Sequence, residues 1–320
     1  MARRSLGPGL DGVLVIAKTA GPTSHDLVAI IRRLAQTKRV GHGGTLDPFA
    51  SGVLPLFLGR ATRLAEYHLG ADKHYRATVC FGATSTTDDL EGELTTGDGQ
   101  APTRPAVEGA LTSLRGPIRQ RPPDFSAIKV GGRRAYALAR AGEAVELRER
   151  DVTIHRLDVA SWDDSDAARP IAVLEVACSA GTYIRALARD LGVALGCGAY
   201  LGALTRTASG SFDLDGAVPL ETLQAAAAEG PAGLVPFLRP IDAGLENLPR
   251  VAVGTAAVID LARGKAVRPP EGLELATASG RGLPIRLVDG EGRLVALATL
   301  KGDRLWPDKV FIEPQPVPVG

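Results

Sequence analysis

Cysteine, methionine and aromatic residues are scarce in this chain: among 320 residues there are three Cys, one Met, two Trp, five Tyr and seven Phe. Cys80, Cys178 and Cys197 are odd in number, far apart and without a C-x-x-C pair. That excludes a disulfide framework and a structural zinc site, and they read as small, reduced, mostly buried residues. No apolar run approaches the roughly 18 residues that cross a bilayer. Val13-Leu14-Val15-Ile16-Ala17 behind Arg3 and Arg4 is too short for a signal peptide, so the chain is expected in the cytoplasm. Several catalytic signatures are missing as well: the G-x-x-x-x-G-K-[ST] phosphate loop, H-E-x-x-H and G-x-S-x-G, while Pro48 and Phe49 after Asp47 break the D-x-D-x-T pattern. The five histidines, His25, His42, His68, His74 and His155, show no metal-ligand spacing.

Net charge is only +1, but it is unevenly spread. Residues 1–75 hold ten Lys or Arg against five Asp or Glu, residues 115–150 hold nine against four, and 151–180 is acidic. If the two basic segments share a face they form the positive footprint of a phosphate-backbone binder; dispersed, they are solvated surface charge. The length suits a large domain plus a smaller one.

Residues 11–17 read as a strand, and Thr23-Ser24 as the cap of a helix carrying Leu27, Val28, Ile30, Ile31 and Leu34. Tyr75 to Phe81 alternates, with Tyr75, Ala77, Val79 and Phe81 on one face. Composition makes 82–99 a surface loop and Arg119 to Ser126 an extended basic loop, because prolines interrupt it. Residues 144–160 and 171–178 are strand-like, and Ala180-Gly181-Thr182 is expected to cap a helix from Tyr183 to Leu195. Ala225 to Ala228 suits a helix face. From about Leu248 the texture becomes β-rich, with Thr255 capping a short helix, a hairpin across Asp289-Gly290-Glu291-Gly292, and a last strand at Val310-Phe311-Ile312.

The stretch Gly41-His42-Gly43-Gly44-Thr45-Leu46-Asp47-Pro48-Phe49-Ala50-Ser51-Gly52-Val53-Leu54-Pro55 sets a single carboxylate in a glycine-lined turn between apolar segments. Glycine permits close approach of another backbone or a substrate, and proline fixes the turn after the acid. Asp before Pro is equally common turn chemistry, in which the carboxylate only bonds a nearby N–H. A lone carboxylate with an aromatic strand residue and an arginine elsewhere suits covalent or acid–base catalysis without a metal.

That stretch, with Arg60-Ala61-Thr62-Arg63-Leu64 beyond it, resembles the signature of the bacterial tRNA pseudouridine synthase B family, which isomerises the T-loop uridine at tRNA position 55. Four further motifs agree in order: Lys18 with Gly21-Pro22-Thr23-Ser24; Asp72-Lys73-His74-Tyr75-Arg76; Gln120 to Lys129; and Gly181-Thr182-Tyr183-Ile184-Arg185 through Gly196-Cys197-Gly198-Ala199. The resemblance covers about the first 210 residues. It implies an α+β fold: a catalytic domain over 1–247 built on a mixed, mainly antiparallel β-sheet with flanking helices. A small β-rich unit similar to a PUA RNA-binding module follows over 248–314, then a tail over 315–320.

By the same resemblance Asp47 is the nucleophile, paired with Arg185, which also pairs with Asp89; adjacent Asp88 competes for that place. His42 enters the RNA loop, Tyr75 stacks on the flipped base, and Tyr183 and Leu204 line the pocket. Lys18 either meets phosphate or supports the fold near the site. No cofactor is implied, and the partner is the T arm of tRNA, with no membrane and no obligate protein partner, the chain acting as a monomer. Gly43, Phe49 and Ser51 depart from the commonest family wording, Thr, Leu and Thr, which puts local packing in question. Two other classes compete: a non-catalytic RNA-binding or RNA-folding protein, and a carboxylate nucleosidase on free nucleosides, against which the basic stretch Arg119 to Arg134 argues.

Overall fold

The structure is a computed structural model that describes residues 9–97, 99–126, 128–130, 132–141, 147–270 and 283–312. The tail at 315–320 and part of the 120–129 motif, Ala127, lie outside the described residues. The chain runs β1 (Gly12–Lys18), α1 (Ser24–Leu34), β2 (Val40–His42), β3 (Ser51–Leu58), α2 (Ala65–Leu69), β4 (Lys73–Phe81), β5 (Ala83–Ser85), β6 (Leu94–Thr96), α3 (Arg104–Leu111), β7 (Gly116–Gln120), β8 (Lys129–Val130), β9 (Arg133–Arg134), α4 (Ala135–Arg140), β10 (Arg150–Asp163), β11 (Ile171–Cys178), α5 (Ile184–Leu195), β12 (Ala199–Ser209), β13 (Phe212–Asp213), β14 (Val218–Pro219) and α6 (Leu220–Ala226). A C-terminal unit adds β15 (Arg250–Ala252), α7 (Thr255–Ala262), β16 (Ile285–Val288), β17 (Leu294–Lys301) and β18 (Arg304–Val310).

Local chemistry explains the elements that frame the site. At the start of α1 the Thr23 hydroxyl accepts from the Asp26 N–H at 3.0 Å while Asp26 accepts from the Thr23 N–H at 2.8 Å, a reciprocal cap of orphan donors. Leu27, Val28 and Ile31 then turn inward at helical spacing. In β4 the period-two expectation holds: Tyr75, Ala77, Val79 and Phe81 are buried, and His74 and Arg76 are exposed. Among the described residues the large sheet runs β14-β1-β3-β12-β4-β11-β10-β7, with β2 added to β3 and β13 to β12. The β1–β14 and β3–β12 pairs are parallel and the others antiparallel. Helix α5 packs on β12 and against α3, and the core between helices and sheet includes Leu14, Leu54, Val79, Leu174, Leu187 and Leu201.

Several local expectations are corrected. Residues 82–99 are not a plain loop, because β5 and β6 pair as a hairpin, and Asp89 bridges Leu201 of β12. The basic stretch begins inside β7, which pairs with β10, and part of its charge is spent in the ion pairs Arg119–Glu149 (2.9 Å) and Arg121–Asp124 (2.6 Å). Helix α5 begins at Ile184 with no side-chain cap, since the Thr182 hydroxyl donates instead to the Ser179 carbonyl. Thr255 is the first helical residue of α7 and not its cap. The last strand ends at Val310, leaving Phe311 beyond it but 2% exposed. Ala227 and Ala228 lie past the end of α6.

The C-terminal unit has its own sheet, β15-β16-β17-β18, and its own core around Leu261, Leu287, Val295 and Leu305. A second cluster joins it to the large sheet's domain: Leu64, Leu245 and Leu248 meet Leu294, Leu297 and Phe311. Leu297 is fully buried there. Leu297→Ala should therefore cost roughly 2–5 kcal/mol in denaturant unfolding, the range for a large-to-small change in a packed core. A loss under about 0.5 kcal/mol, the level of surface changes, would mean that the two units are not packed together in solution. Among the described residues no helix is long and apolar enough to cross a membrane.

Candidate active site

The loop between β2 and β3 is held on all sides before any ligand arrives. Ser24, at the first residue of α1, accepts from the Leu46 N–H at 2.9 Å and donates to the Leu46 carbonyl at 3.1 Å, so one hydroxyl grips both faces of that residue. Pro48 O accepts from the Gly21 N–H at 2.9 Å, and Asp47 O from the Ala50 N–H at 3.2 Å. Lys18 is 3% exposed, and its ammonium donates to the carbonyls of Thr19 (3.0 Å), Pro48 (3.0 Å) and Ala50 (2.5 Å). These bonds tie the end of β1 to the far end of the loop. Burial lowers the Lys18 pKa to about 8, opposed by the Asp47 carboxylate.

Strand packing by itself requires glycine at position 52. Its φ is +111°, and a Cβ there would lie 2.2 Å from the Arg206 carbonyl oxygen on β12. The departures from family wording are accommodated: a Cβ at Gly43 would lie 3.0 Å from the Phe57 ring, Phe49 packs on the core, and Ser51 meets the Thr205 hydroxyl at 2.9 Å.

Asp47 faces Arg185, in the first turn of α5, with Nε 3.0 Å from one carboxylate oxygen and Nη2 3.4 Å from the other. The same guanidinium lies 3.2 Å from Asp89 Oδ2 and donates to the carbonyls of Thr87 (3.2 Å) and Phe125 (2.9 Å). Asp88, one residue earlier, turns away with φ +61° and pairs with Arg189 at 2.8 Å. Burial pushes the Asp47 carboxyl above its ordinary value, and the Arg185 charge pulls it back. Its side chain still keeps 34% exposure because it opens onto a cavity of about 590 Å³.

Tyr75, Tyr183, Leu204, Arg185 and Asp89 line that cavity with Asp47. Tyr75 enters from β4 and Leu204 from β12, adjacent strands; they are 8% and 7% exposed. Tyr183 precedes α5, where Gln120 clamps its backbone, accepting from its N–H at 2.8 Å and donating to its carbonyl at 3.0 Å. His42 and Lys18 lie outside the cavity lining. His42 is half-buried at the end of β2, 5.7 Å from the His25 ring, and burial, His25 and Arg206 all lower its pKa. Sequence reasoning missed Gln120, Lys73 and Arg206, although period two from Tyr75 and from Leu204 points to the last two. Among the described residues no three His, Cys, Asp or Glu side chains are placed to hold a metal ion.

Residues 32–184 match the N-terminal domain model of the TruB family pseudouridylate synthases, and 185–246 match the tRNA pseudouridylate synthase B C-terminal domain. The junction between the two matches falls beside Arg185, so Asp47 and Asp89 come from one and their arginine from the other. A tRNA pseudouridine synthase B of Bradyrhizobium diazoefficiens is 43% identical over 303 residues, 94% of this chain and 85% of that protein. One of Symbiobacterium thermophilum is 47% identical over 266 residues, covering 83% and 86%. The solved Cbf5-Nop10-Gar1 complex contains a chain that superposes with a TM-score of 0.71 at 28% identity, covering 95% of this chain and 85% of that one. With matched models over most of its large domain and relatives above 40% identity across nearly its whole length, this chain belongs to the TruB family of pseudouridylate synthases.

Proposed function

We propose that this protein is a tRNA pseudouridine-55 synthase, converting the T-loop uridine by flipping it into the Asp47 cavity. The observation that carries the reading is one guanidinium, Arg185, bound to two carboxylates on the wall of a cavity faced by Tyr75 and Leu204. Names of relatives with 43–47% identity support tRNA as the substrate.

The reaction breaks the bond from ribose C1′ to uracil N1, turns the ring and joins C1′ to C5; C5 loses its proton and N1 gains one, with no net redox change. A carboxylate at Asp47 can add to C1′ or C6, or take a ribose proton on a glycal-like route. Removing the uridine from its stack costs on the order of a few kcal/mol. The Tyr75 ring offers a replacement face that tolerates in-plane rotation of the detached base. His42, outside the cavity lining, is assigned to the RNA loop that the uridine leaves, and the unit at 248–314 to further RNA contact as a PUA-like module.

Purified protein and a T-arm RNA, with pseudouridine-selective chemical mapping, test this. The expected result is one modified site at position 55, made by the protein alone, as a monomer in the cytoplasm would make it. RNA bound but left unmodified would establish a binding or folding protein instead. Modification of free nucleosides with no preference for RNA would favour a nucleosidase-like enzyme.

A further inference from the structure

Besides Arg185, three buried cations surround the Asp47 loop: Lys18, Lys73 and Arg206 are 3%, 6% and 1% exposed, and among the described residues none of the three forms an ion pair with a carboxylate. Each is held by backbone carbonyls. Lys18 serves the loop's far end, as described, and Lys73 closes the end of α2 through the carbonyls of His68, Leu69 and Ala71. Arg206 instead spans the loop's beginning and the strand beyond it. Its Nε donates to Val53 O at 2.8 Å, Nη1 to Thr45 O at 3.3 Å and Nη2 to Gly44 O at 3.2 Å, so one rigid fork holds the start of the Asp47 loop against the strand that follows it.

The register places the same residue beside the cavity's aromatic face. On β12, Arg206 is paired with Gly52 of β3 on one side and Tyr75 of β4 on the other. Its guanidinium also adjoins the Tyr75 hydroxyl. A guanidinium has donors only, so where the two meet the tyrosine oxygen accepts and the phenolic proton points elsewhere. Burying a charge with no counter-charge is costly, and an apolar side chain of similar volume would avoid that desolvation but leave the Gly44, Thr45 and Val53 carbonyls without this donor. The arrangement is therefore poorly explained by packing alone.

We propose that Arg206 is a positioning residue that sets the separation between Asp47 and the Tyr75 ring, acting on the reacting base through the Gly44–Thr45 backbone and the tyrosine. This rests on the reading of the cavity as the site of uridine isomerisation. In that reaction the detached base is held between the carboxylate and the ring, and a shift of about 1 Å between such groups costs on the order of 100-fold in rate.

The test uses full-length wild type, Arg206→Lys, Arg206→Met, Tyr75→Phe and the Arg206→Lys/Tyr75→Phe double variant on T-arm RNA. Single-turnover rate, RNA Kd and melting temperature are measured for each. Lysine keeps the charge and loses the fork; methionine fills the space without charge. The expected result is that both Arg206 variants fold and bind RNA within about threefold of wild type, with rates on the order of 100-fold lower. The Arg206→Lys loss should shrink in the Tyr75→Phe background. Wild-type rates in Arg206→Met, strictly additive losses in the double variant, or failure of both Arg206 variants to fold would each overturn the positioning role. An inactive wild type would overturn the reading of the site itself.

Discussion

An Asp47→Asn protein is expected to fold, bind T-arm RNA and form pseudouridine at least about 10⁴-fold more slowly than wild type, the scale of losing a covalent catalytic group. The amide has nearly the volume of the carboxyl and can still accept from Arg185, so the loop's other supports from Ser24, Lys18 and Gly21 remain in place. Stability should move in the opposite direction from activity. Burial holds the Asp47 carboxyl above its ordinary value of 3.8 despite the Arg185 charge. With the folded pKa above the unfolded one, the carboxyl's favourable contribution is complete below the unfolded pKa and is lost as pH rises through the folded value. At neutral pH the asparagine variant should therefore melt at or slightly above the wild-type temperature, and the gain should vanish below about pH 3.8, the ordinary carboxyl value. The gain is small because the carboxylate still opens onto the cavity. Wild-type single-turnover rates should also fall on the acid side at a pH above the ordinary carboxylate value, a limb absent from the variant. Normal product from Asp47→Asn would sink the nucleophile assignment.

Where side-chain period and turn chemistry act locally, the sequence is readable. Alternation in β4 puts Tyr75 inward, and the Thr23 cap and glycine-proline loop announce α1 and the Asp47 turn. Asp88 and Asp89 are chemically identical neighbours, so residue type could not separate them. A left-handed backbone at Asp88 sends one carboxylate to Arg189, and the bridge to Leu201 fixes the other beside Arg185, both consequences of tertiary docking. The hairpin inside 82–99 was hidden for a similar reason: its Thr-, Asp- and Gly-rich composition is that of a loop, and pairing and docking override it. Gln120 opens a family motif, but nothing local reveals its role, which is to satisfy the Tyr183 backbone 63 residues away.

Arg185→Met is expected to be the most destabilising change in the site as well as an inactivating one. The arginine is 6% exposed and the Asp89 side chain 3%, so its removal leaves a buried carboxylate without a counter-charge and takes donors from the Thr87 and Phe125 carbonyls. Breaking a buried pair in this way costs roughly 3–5 kcal/mol. Asp89 keeps the Thr87 hydroxyl (2.5 Å) and the Glu91 N–H (3.0 Å), which offset only part of the loss. Arg185→Lys restores charge but not the fork that spans Asp47, Asp89 and Phe125, so it should recover some stability and little activity. Adding Asp89→Asn to Arg185→Met separates the two effects. Neutralising the stranded carboxylate should return part of the unfolding free energy, while pseudouridine formation stays lost because Asp47 still lacks its partner. Denaturant unfolding and single-turnover rates on the same samples decide it: Arg185→Met as stable as wild type would mean the guanidinium is not the electrostatic centre of the site, and activity restored with Asp89→Asn would mean that it acts only on the fold.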